Sequence, residues 1–347
     1  MSSLTSSGQI LVGSLVTADE ALLEVHTSML LANAITDHYL TRQKTYSFPK
    51  GNADVDRLTL QHQICCLRFG GLYPPEIETQ VQALMEHPDF EILDVGCGSS
   101  AVWCAQMAQR FPKVKIVGLD LASPAQGFVQ HDLTTGFPEK YKNRFGIIHC
   151  RLVCQQFPDG QMLVNSMAEC LKSGSPLRLS DLSSRINPTL DGLLLLIDGG
   201  GNTYGQDGKL VTPFQYDAAR SIAENLENPE GHSWHAAWYA HMGKVMMNPT
   251  YRQPPEMVNE TSLEVIMAEK ILIPCGWAGE GIDHGRELGE LMLRNLEMVY
   301  QFSPMMLSKL DDIPDEVKTA LVTKGFPELT VRKMYLHLWY VVAKKSD

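Results

Sequence analysis

Short apolar segments alternate with helical segments from residue 91 onwards, and this alternation constrains the fold more than any other feature. Helical periodicity separates the segments at 99–111 and 159–171. The apolar segments are EILDV (91–95), VKIVGLD (114–120), GFVQHD (127–132), GIIHC (146–150) and PLRLSDL (176–182). Alternating strands and helices predict an open parallel sheet that helices cover on both faces.

Further segments surround this alternating region. Apolar residues at helical spacing predict helices over 17–40 and 53–68. Residues 186–258 break the rhythm with a glycine-rich turn in DGLLLLIDGGGNTYG and helices predicted over 213–228 and 233–247. The last part predicts, in order, a strand at 262–276, helices at 283–309 and 314–324, and a strand at 333–345.

These boundaries predict four parts of the chain. The first, 1–85, is an N-terminal helical lid, and 86–185 is the core of the sheet. The third, 186–258, is a helical insertion that covers the substrate, and 259–347 returns to the core with a terminal hairpin.

Composition excludes several classes of protein. A net charge of -11 argues against nucleic-acid binding, which needs a basic face. The sequence contains neither a run long enough to span a membrane nor a signal peptide, so we expect a cytoplasmic protein. The eight cysteines are scattered without a Cys-x-x-Cys pair or a histidine cluster, which predicts buried, reduced thiols and no metal site. Composition leaves a homodimer open.

The loop after the first strand, DVGCGSS, is typical of a nucleotide site. Gly96 and Gly98 allow close approach of the backbone to a ligand, and the following helix supplies N–H groups. Asp120 ends the next strand, 22 residues after Gly98, where an acid can accept both ribose hydroxyls of an adenosine.

Two cofactors fit such a loop, a dinucleotide and S-adenosylmethionine (SAM). Asp94, just before the first glycine, would repel a pyrophosphate but attract the methionine ammonium group, so it favours SAM. Asp132, after the third strand, suits the adenine amino group. A nicotinamide-dependent oxidoreductase remains the alternative that Asp94 disfavours.

Four stretches carry a resemblance to a known family. They are YSFPKGNADVDRLTLQHQI (46–64), ILDVGCGSSAVWCAQMAQRFP (92–112), FGIIHCRLV (145–153), and ILIPCGWAGEG (271–281) with HLWYVVAKK (337–345). Together they resemble the class I SAM-dependent methyltransferases, specifically the fungal LaeA/UMTA-like group. The resemblance implies a Rossmann-like fold whose seven-stranded, mostly parallel sheet has an antiparallel last strand. It also implies SAM as cofactor and a small-molecule methyl acceptor as partner.

The resemblance implies a set of cofactor contacts. Asp94, Gly96, Gly98 and Ser100 border the methionine part, although Ser100 replaces the third glycine of the family motif. The ribose and adenine are bordered by Asp120, Leu121, His131 and Asp132. Arg151 lies beside the cofactor, and the lid carries Tyr46, Arg57 and His62.

The acceptor decides whether a base is needed. A carboxylate is already ionised, whereas a phenol, with a pKa of about 10, needs a general base such as histidine. We predict His149 and His235 as candidate bases. The aromatic cluster on the inserted helix predicts a substrate wall of Trp234, Trp238, Tyr239 and His241, with core packing as the alternative.

Two functions follow from the sequence. The first is O-methylation of a carboxylate or phenol in fungal secondary metabolism. The alternative is a LaeA-like regulatory protein of secondary metabolism that acts through protein partners.

Overall fold

The computed structural model describes residues 52–122, 127–174, 191–227, 231–248 and 251–345. The helix predicted over 17–40, the strand predicted over 176–182 and Tyr46 lie outside the described residues.

Within the described residues, strands form one seven-stranded sheet with the order β3-β2-β1-β4-β5-β7-β6. The strands are β1 Glu91–Val95, β2 Lys115–Asp120, β3 Val129–Gln130, β4 Phe145–Arg151, β5 Leu193–Gly205, β6 Glu264–Cys275 and β7 Met334–Lys344. Strands β1 to β5 pair in parallel, and β7 runs antiparallel to both β5 and β6. The predicted fold, a mostly parallel sheet with a reversed last strand, is therefore confirmed.

Helices cover both faces of the sheet. They are α1 Asn52–Phe69, α2 Glu78–Glu86, α3 Val102–Arg110, α4 Gly160–Cys170, α5 Ile222–Leu226, α6 Trp234–Met246, α7 Pro254–Asn259, α8 Gly285–Leu307 and α9 Asp315–Val331. The helix predicted over 213–228 is wrong for most of its length, since only α5 forms there. Asp217 accepts a hydrogen bond from Ala219 N–H in a local turn, and Ser221 caps a helix that begins only at Ile222.

Strand β5 corrects the sequence interpretation, which placed its residues in the inserted segment and put the fifth strand at 176–182. Leu193–Ile197 lie between parallel β4 and antiparallel β7, and all five are at most 3% exposed. A strand covered on both faces is apolar at successive positions, which explains this run. The sequence analysis interpreted Gly199–Gly201 as a turn. In the structure these glycines lie at an irregularity inside β5, and the strand continues beyond them.

The apolar side chains of the central strands divide between two clusters, one on each face. Ile92, Ile147 and Leu195 pack on the face that α3 and α8 cover, and Leu93 and Ile148 pack on the face that α4 covers. Alternation then places polar residues near the ends of β1 and β4 on the first face, which positions the site described below.

Two further features bear on the expectations from composition. All eight cysteines are free thiols, and six of them are buried. The part of the chain that the structure describes holds neither a helix able to cross a membrane nor a group of three metal-ligating side chains.

The central position of β5 is tested by Leu195→Ala. Leu195 is fully buried, so the substitution should lower the free energy of unfolding by about 2–5 kcal/mol through lost burial and a residual cavity. Leu210→Ala is the control, since Leu210 is 62% exposed and should change stability by less than about 0.5 kcal/mol. Urea unfolding measures both, and equal effects would contradict the placement of β5.

Candidate functional site

The turn between β1 and α3 adopts a conformation that requires glycine. Gly96 and Gly98 have φ values of +69° and +74°. The N–H groups of Gly96 and Cys97 both donate to the carbonyl of Leu119 in β2, at 2.8 and 3.0 Å. A Cβ atom on Gly96 would lie 2.3 Å from Cγ2 of Val153. The turn is therefore tied to β2 and packed tightly against the segment that follows β4.

Asp120, the last residue of β2, lies beside this turn. Its Oδ2 accepts a hydrogen bond from Gly98 N–H at 2.9 Å, and its Oδ1 accepts one from Ala122 N–H at 2.8 Å. Each carboxylate oxygen can accept two hydrogen bonds, so this carboxylate has the chemistry to accept hydroxyl protons as well. The structure thus places the predicted ribose acid against the predicted glycine turn.

Helix α3 begins without a side-chain cap. Its N-cap residue is Ala101, in a left-handed conformation with φ of 44°. Ser100 precedes the cap and is half-buried, so it is not itself the capping residue. An uncapped helix start carries backbone N–H groups and a positive partial charge, which suits a carboxylate ligand.

Asp94 is enclosed by protein. It is 2% exposed, its Oδ1 lies 2.7 Å from Nδ1 of His149, and its Oδ2 accepts a hydrogen bond from the Cys104 thiol at 3.1 Å. Both carboxylate oxygens are therefore engaged within the fold. A direct contact between Asp94 and the methionine ammonium group stays a prediction.

His149 is a neutral histidine oriented by Asp94. Burial lowers the pKa of His149 and outweighs the opposing effect of the Asp94 charge. Its ring stacks on Trp103 with 3.9 Å between ring centroids. Nδ1 donates to Asp94, and Nε2 has no hydrogen-bond partner among the described residues although it is buried. The ring therefore keeps an accepting nitrogen but lies inside the protein.

Arg151, the last residue of β4, is hydrogen-bonded to a side chain of helix α1. The guanidinium of Arg151 donates to Nδ1 of His62 at 3.1 Å, and Nε2 of His62 lies 3.0 Å from Oε1 of Gln106. Burial and the Arg151 charge lower the pKa of His62 to about 4, so His62 is neutral. Arg57 is also buried and pairs with Asp54 at 2.6 Å. The structure thus brings the predicted lid helix against the end of β4.

The predicted adenine residues follow β3 on the same edge of the sheet. His131 N–H donates to the Asp120 carbonyl at 2.8 Å, which links the two positions. Asp132 is exposed and accepts hydrogen bonds from the amide and hydroxyl of Thr134, which lower the pKa of Asp132. The Leu121 carbonyl accepts from the Gln130 side chain at 3.1 Å.

The residues predicted as a substrate wall on α6 lie largely in the core. Trp234 stacks on Phe214, and Trp238 donates from Nε1 to the Ser303 hydroxyl at 2.8 Å. Both tryptophans are at most 5% exposed, because α6 packs against β5, α8 and α9. The core-packing alternative therefore describes them, whereas Tyr239 and His241 are half-buried.

His235 on α6 is also a core residue. It is fully buried, its Nδ1 lies 2.9 Å from the hydroxyl of Tyr300, and its backbone N–H donates to Glu328. Burial lowers the pKa of His235 to about 3. His235 shares none of these partners with the Asp94–His149 pair, so none of these contacts brings the two predicted bases together.

Sequence reasoning missed Asp198 on β5. It is fully buried and accepts hydrogen bonds from the N–H groups of Gln155 and Gly199. A signal was available, since Asp198 ends the apolar run LLLLI just as Asp94 and Asp120 fall at the ends of their strands. The glycines that follow it hid this pattern.

A glycine turn after the first strand of a parallel sheet, with an acid after the second, defines a Rossmann-like nucleotide-binding protein. A family model described as "Methyltransferase domain" matches residues 68–268, which is more than half of the chain. The chain belongs to this family. This match confirms the predicted methyltransferase family.

Curated relatives are similar over part of their length. The "Secondary metabolism regulator laeA" of Coprinopsis cinerea is 28% identical over 153 residues, 42% of this chain and 37% of that protein. The "N-methyltransferase verN" of Clonostachys rogersoniana is 25% identical over 150 residues, 40% of this chain and 50% of that protein. A "Trans-aconitate 2-methyltransferase" of Deinococcus radiodurans is 30% identical over 104 residues, 28% and 40% of the two chains. The chain spans half the length or less of these relatives.

The glycine turn is tested by Gly96→Val. A side chain at this position meets both a left-handed backbone and the methyl groups of Val153, so we expect binding of S-adenosylhomocysteine to be abolished. Ser100→Gly is the matched control and should bind normally. Isothermal titration calorimetry measures both variants, with circular dichroism to verify folding. Normal affinity in folded Gly96→Val would show that the turn does not hold the cofactor.

Asp120→Ala tests the ribose acid. Losing a charged acceptor should weaken S-adenosylhomocysteine binding by about tenfold or more. Asp132→Ala, which removes an exposed acid nearby, separates the ribose position from the adenine position and should cost less. Affinity of Asp120→Ala within about twofold of the parent protein would contradict the assignment.

Proposed function

We propose that the chain transfers the methyl group of SAM to a small-molecule acceptor, and that the acceptor atom is a carboxylate oxygen. One observation carries the choice of acceptor. Both histidines predicted as bases, His149 and His235, are buried and hydrogen-bonded within the fold. A carboxylate is ionised at neutral pH and needs no base, so it suits such a site.

The residues of the glycine turn supply the cofactor site in this proposal. Ser100 and the uncapped start of α3 would face the methionine carboxylate, and Asp120 would accept hydrogen bonds from the ribose hydroxyls. His131 and Asp132 would border the adenine. Asp94 lies two residues before Gly96 and is hydrogen-bonded to His149.

The protein has three tasks in this reaction. SAM, when bound, supplies a methyl carbon on a positively charged sulfur. The chain has to align the acceptor oxygen with that carbon and sulfur, exclude water and keep the oxygen unprotonated. The chemistry that SAM would supply is in-line displacement at its methyl carbon, with S-adenosylhomocysteine as the leaving group.

We propose that the segment after β5 covers the acceptor, as the sequence suggests for the insertion. Two contacts near its end support this. Asn248 N–H donates to the Gln155 carbonyl at 2.8 Å, and the Tyr251 hydroxyl donates to the Gly199 carbonyl at 2.7 Å. Both acceptors lie beyond Arg151 and Ile197, the last residues that pair between β4 and β5.

A regulatory role is the second candidate. The similarity to a secondary metabolism regulator favours it. A regulator acting through protein partners need not turn over small acids, whereas the proposed enzyme must.

An acceptor panel tests the proposal. The protein, SAM and matched pairs of carboxylic acids and phenols are incubated, and S-adenosylhomocysteine formation is measured. We expect turnover with a carboxylic acid, with Gly96→Val as the inactive control. Turnover of phenols alone would contradict the carboxylate assignment, and binding of SAM without turnover of any acceptor would favour the regulator.

His149→Gln separates the two acceptor chemistries. With a carboxylate acceptor no proton is removed, so the variant should retain turnover within about tenfold and keep the shape of its pH profile. With a phenol and His149 as the base, turnover should fall by about a hundredfold or more. Initial rates at saturating SAM measure this, and His235→Ala serves as the comparison at the second predicted base.

A further inference from the structure

Asp198 on β5 has no role in the methyl transfer proposed above. It follows the buried run Leu193–Ile197 of β5, and Ile197 pairs in register with Arg151, the last residue of β4. Asp198 therefore lies at the edge of the sheet that carries the glycine turn. Its side chain is fully buried.

Backbone N–H groups hold this carboxylate. Oδ2 accepts a hydrogen bond from Gln155 at 3.1 Å, Oδ1 accepts one from Gly199 at 2.8 Å, and Cys154 N–H donates a third. Among the described residues, no lysine, arginine or histidine forms an ion pair with Asp198. A buried carboxylate without a cation is costly unless its hydrogen bonds compensate, so these three bonds are its main support.

The titratable groups that face Asp198 are phenols and thiols. They are the phenols of Tyr239 on α6 and Tyr251 before α7, with the thiols of Cys150 on β4 and Cys154 after it. Burial, with a smaller contribution from the Asp198 charge, raises the pKa of both phenols. Burial raises the pKa of Asp198 itself to about 7.

The hydrogen bonds of Asp198 act on the segment 152–157. This segment also donates from Leu152 N–H to the Ile197 carbonyl, with Leu152 in a left-handed conformation. Val153, the residue after Leu152, fills the space where a Cβ atom of Gly96 would lie. A chain of contacts therefore runs from Asp198 through the backbone of Cys154 and Gln155 to Val153 and the glycine turn.

We propose that Asp198 is a positioning residue: its carboxylate holds the segment 152–157 against the glycine turn and so sets the affinity for the cofactor. It acts through the backbone and touches neither cofactor nor acceptor. The inference rests on the proposed function only in taking the glycine turn as the SAM site.

The proposal has a defined pH dependence. Below pH 7 Asp198 gains a proton, and its O–H then faces the backbone N–H groups that need an acceptor. The segment is held less firmly, so cofactor affinity should rise as the pH rises through about 7. His62 and His149 do not cause this change, because their pKa values are lowered away from this range.

Calorimetric titration of S-adenosylhomocysteine between pH 6 and pH 8 tests the proposal. The parent protein should bind on the order of tenfold more tightly at pH 8 than at pH 6. Asp198→Asn, similar in shape but uncharged, should bind weakly at both pH values with no pH dependence. Asp191→Asn is the matched control, since Asp191 lies two residues before the start of β5 and pairs with Lys344, and it should keep the affinity and pH profile of the parent protein.

Three results would overturn the proposal. They are a flat profile in the parent protein, a parent-like profile in Asp198→Asn, and loss of the profile in Asp191→Asn. If Asp198→Asn does not fold, carboxyl 13C NMR of the parent protein decides: saturating S-adenosylhomocysteine should lower the pKa of Asp198, and an unchanged pKa counts against the proposal. If the parent protein does not bind S-adenosylhomocysteine at any pH, the assignment of the glycine turn as the SAM site is also wrong. If it binds with an affinity that does not change with pH, only the role of Asp198 is wrong.

Discussion

The carbonyl of Leu119 accepts two backbone hydrogen bonds from the turn after β1, and the rest of the site depends on this arrangement. It fixes Gly96 and Cys97 against β2, which brings Gly98 to the carboxylate of Asp120. The same turn packs on Val153, so three neighbouring strands meet at one short stretch of backbone. Only glycine at position 96 allows the left-handed conformation and the close contact together.

Buried carboxylates lie on both faces of the sheet, near the ends of the strands that carry this turn. On one face Asp94 and His149 form a hydrogen-bonded pair beneath the turn, and His149 stays neutral because it is buried. On the other face Asp198 accepts hydrogen bonds from backbone N–H groups of the segment after β4. Neither carboxylate is exposed: side chains hold Asp94, and backbone N–H groups hold Asp198.

Much of the fold could be predicted, because strand and helix periodicities are local. The strands around Asp94, Asp120 and His149 were placed within a residue or two, as was α6. The fifth strand was not, because Gly199–Gly201 look like a turn in sequence and only pairing with β7 shows that the strand continues. The roles of the α6 aromatic residues were equally undecided, since a helical stripe of tryptophans suits a core and a pocket alike.

The sequence by itself determined strands β1, β2 and β4, the glycine turn and the acids near the ends of β1 and β2, because each depends on residues close together along the chain. It also indicated the family through four stretches, of which the glycine-turn motif is one. Only the tertiary structure decided which side chains Asp94 and Arg151 contact, that His149 and His235 are buried apart, and that Asp198 holds the segment after β4. These outcomes depend on which distant elements pack together, and burial, not residue type, then sets the charge and accessibility of each group.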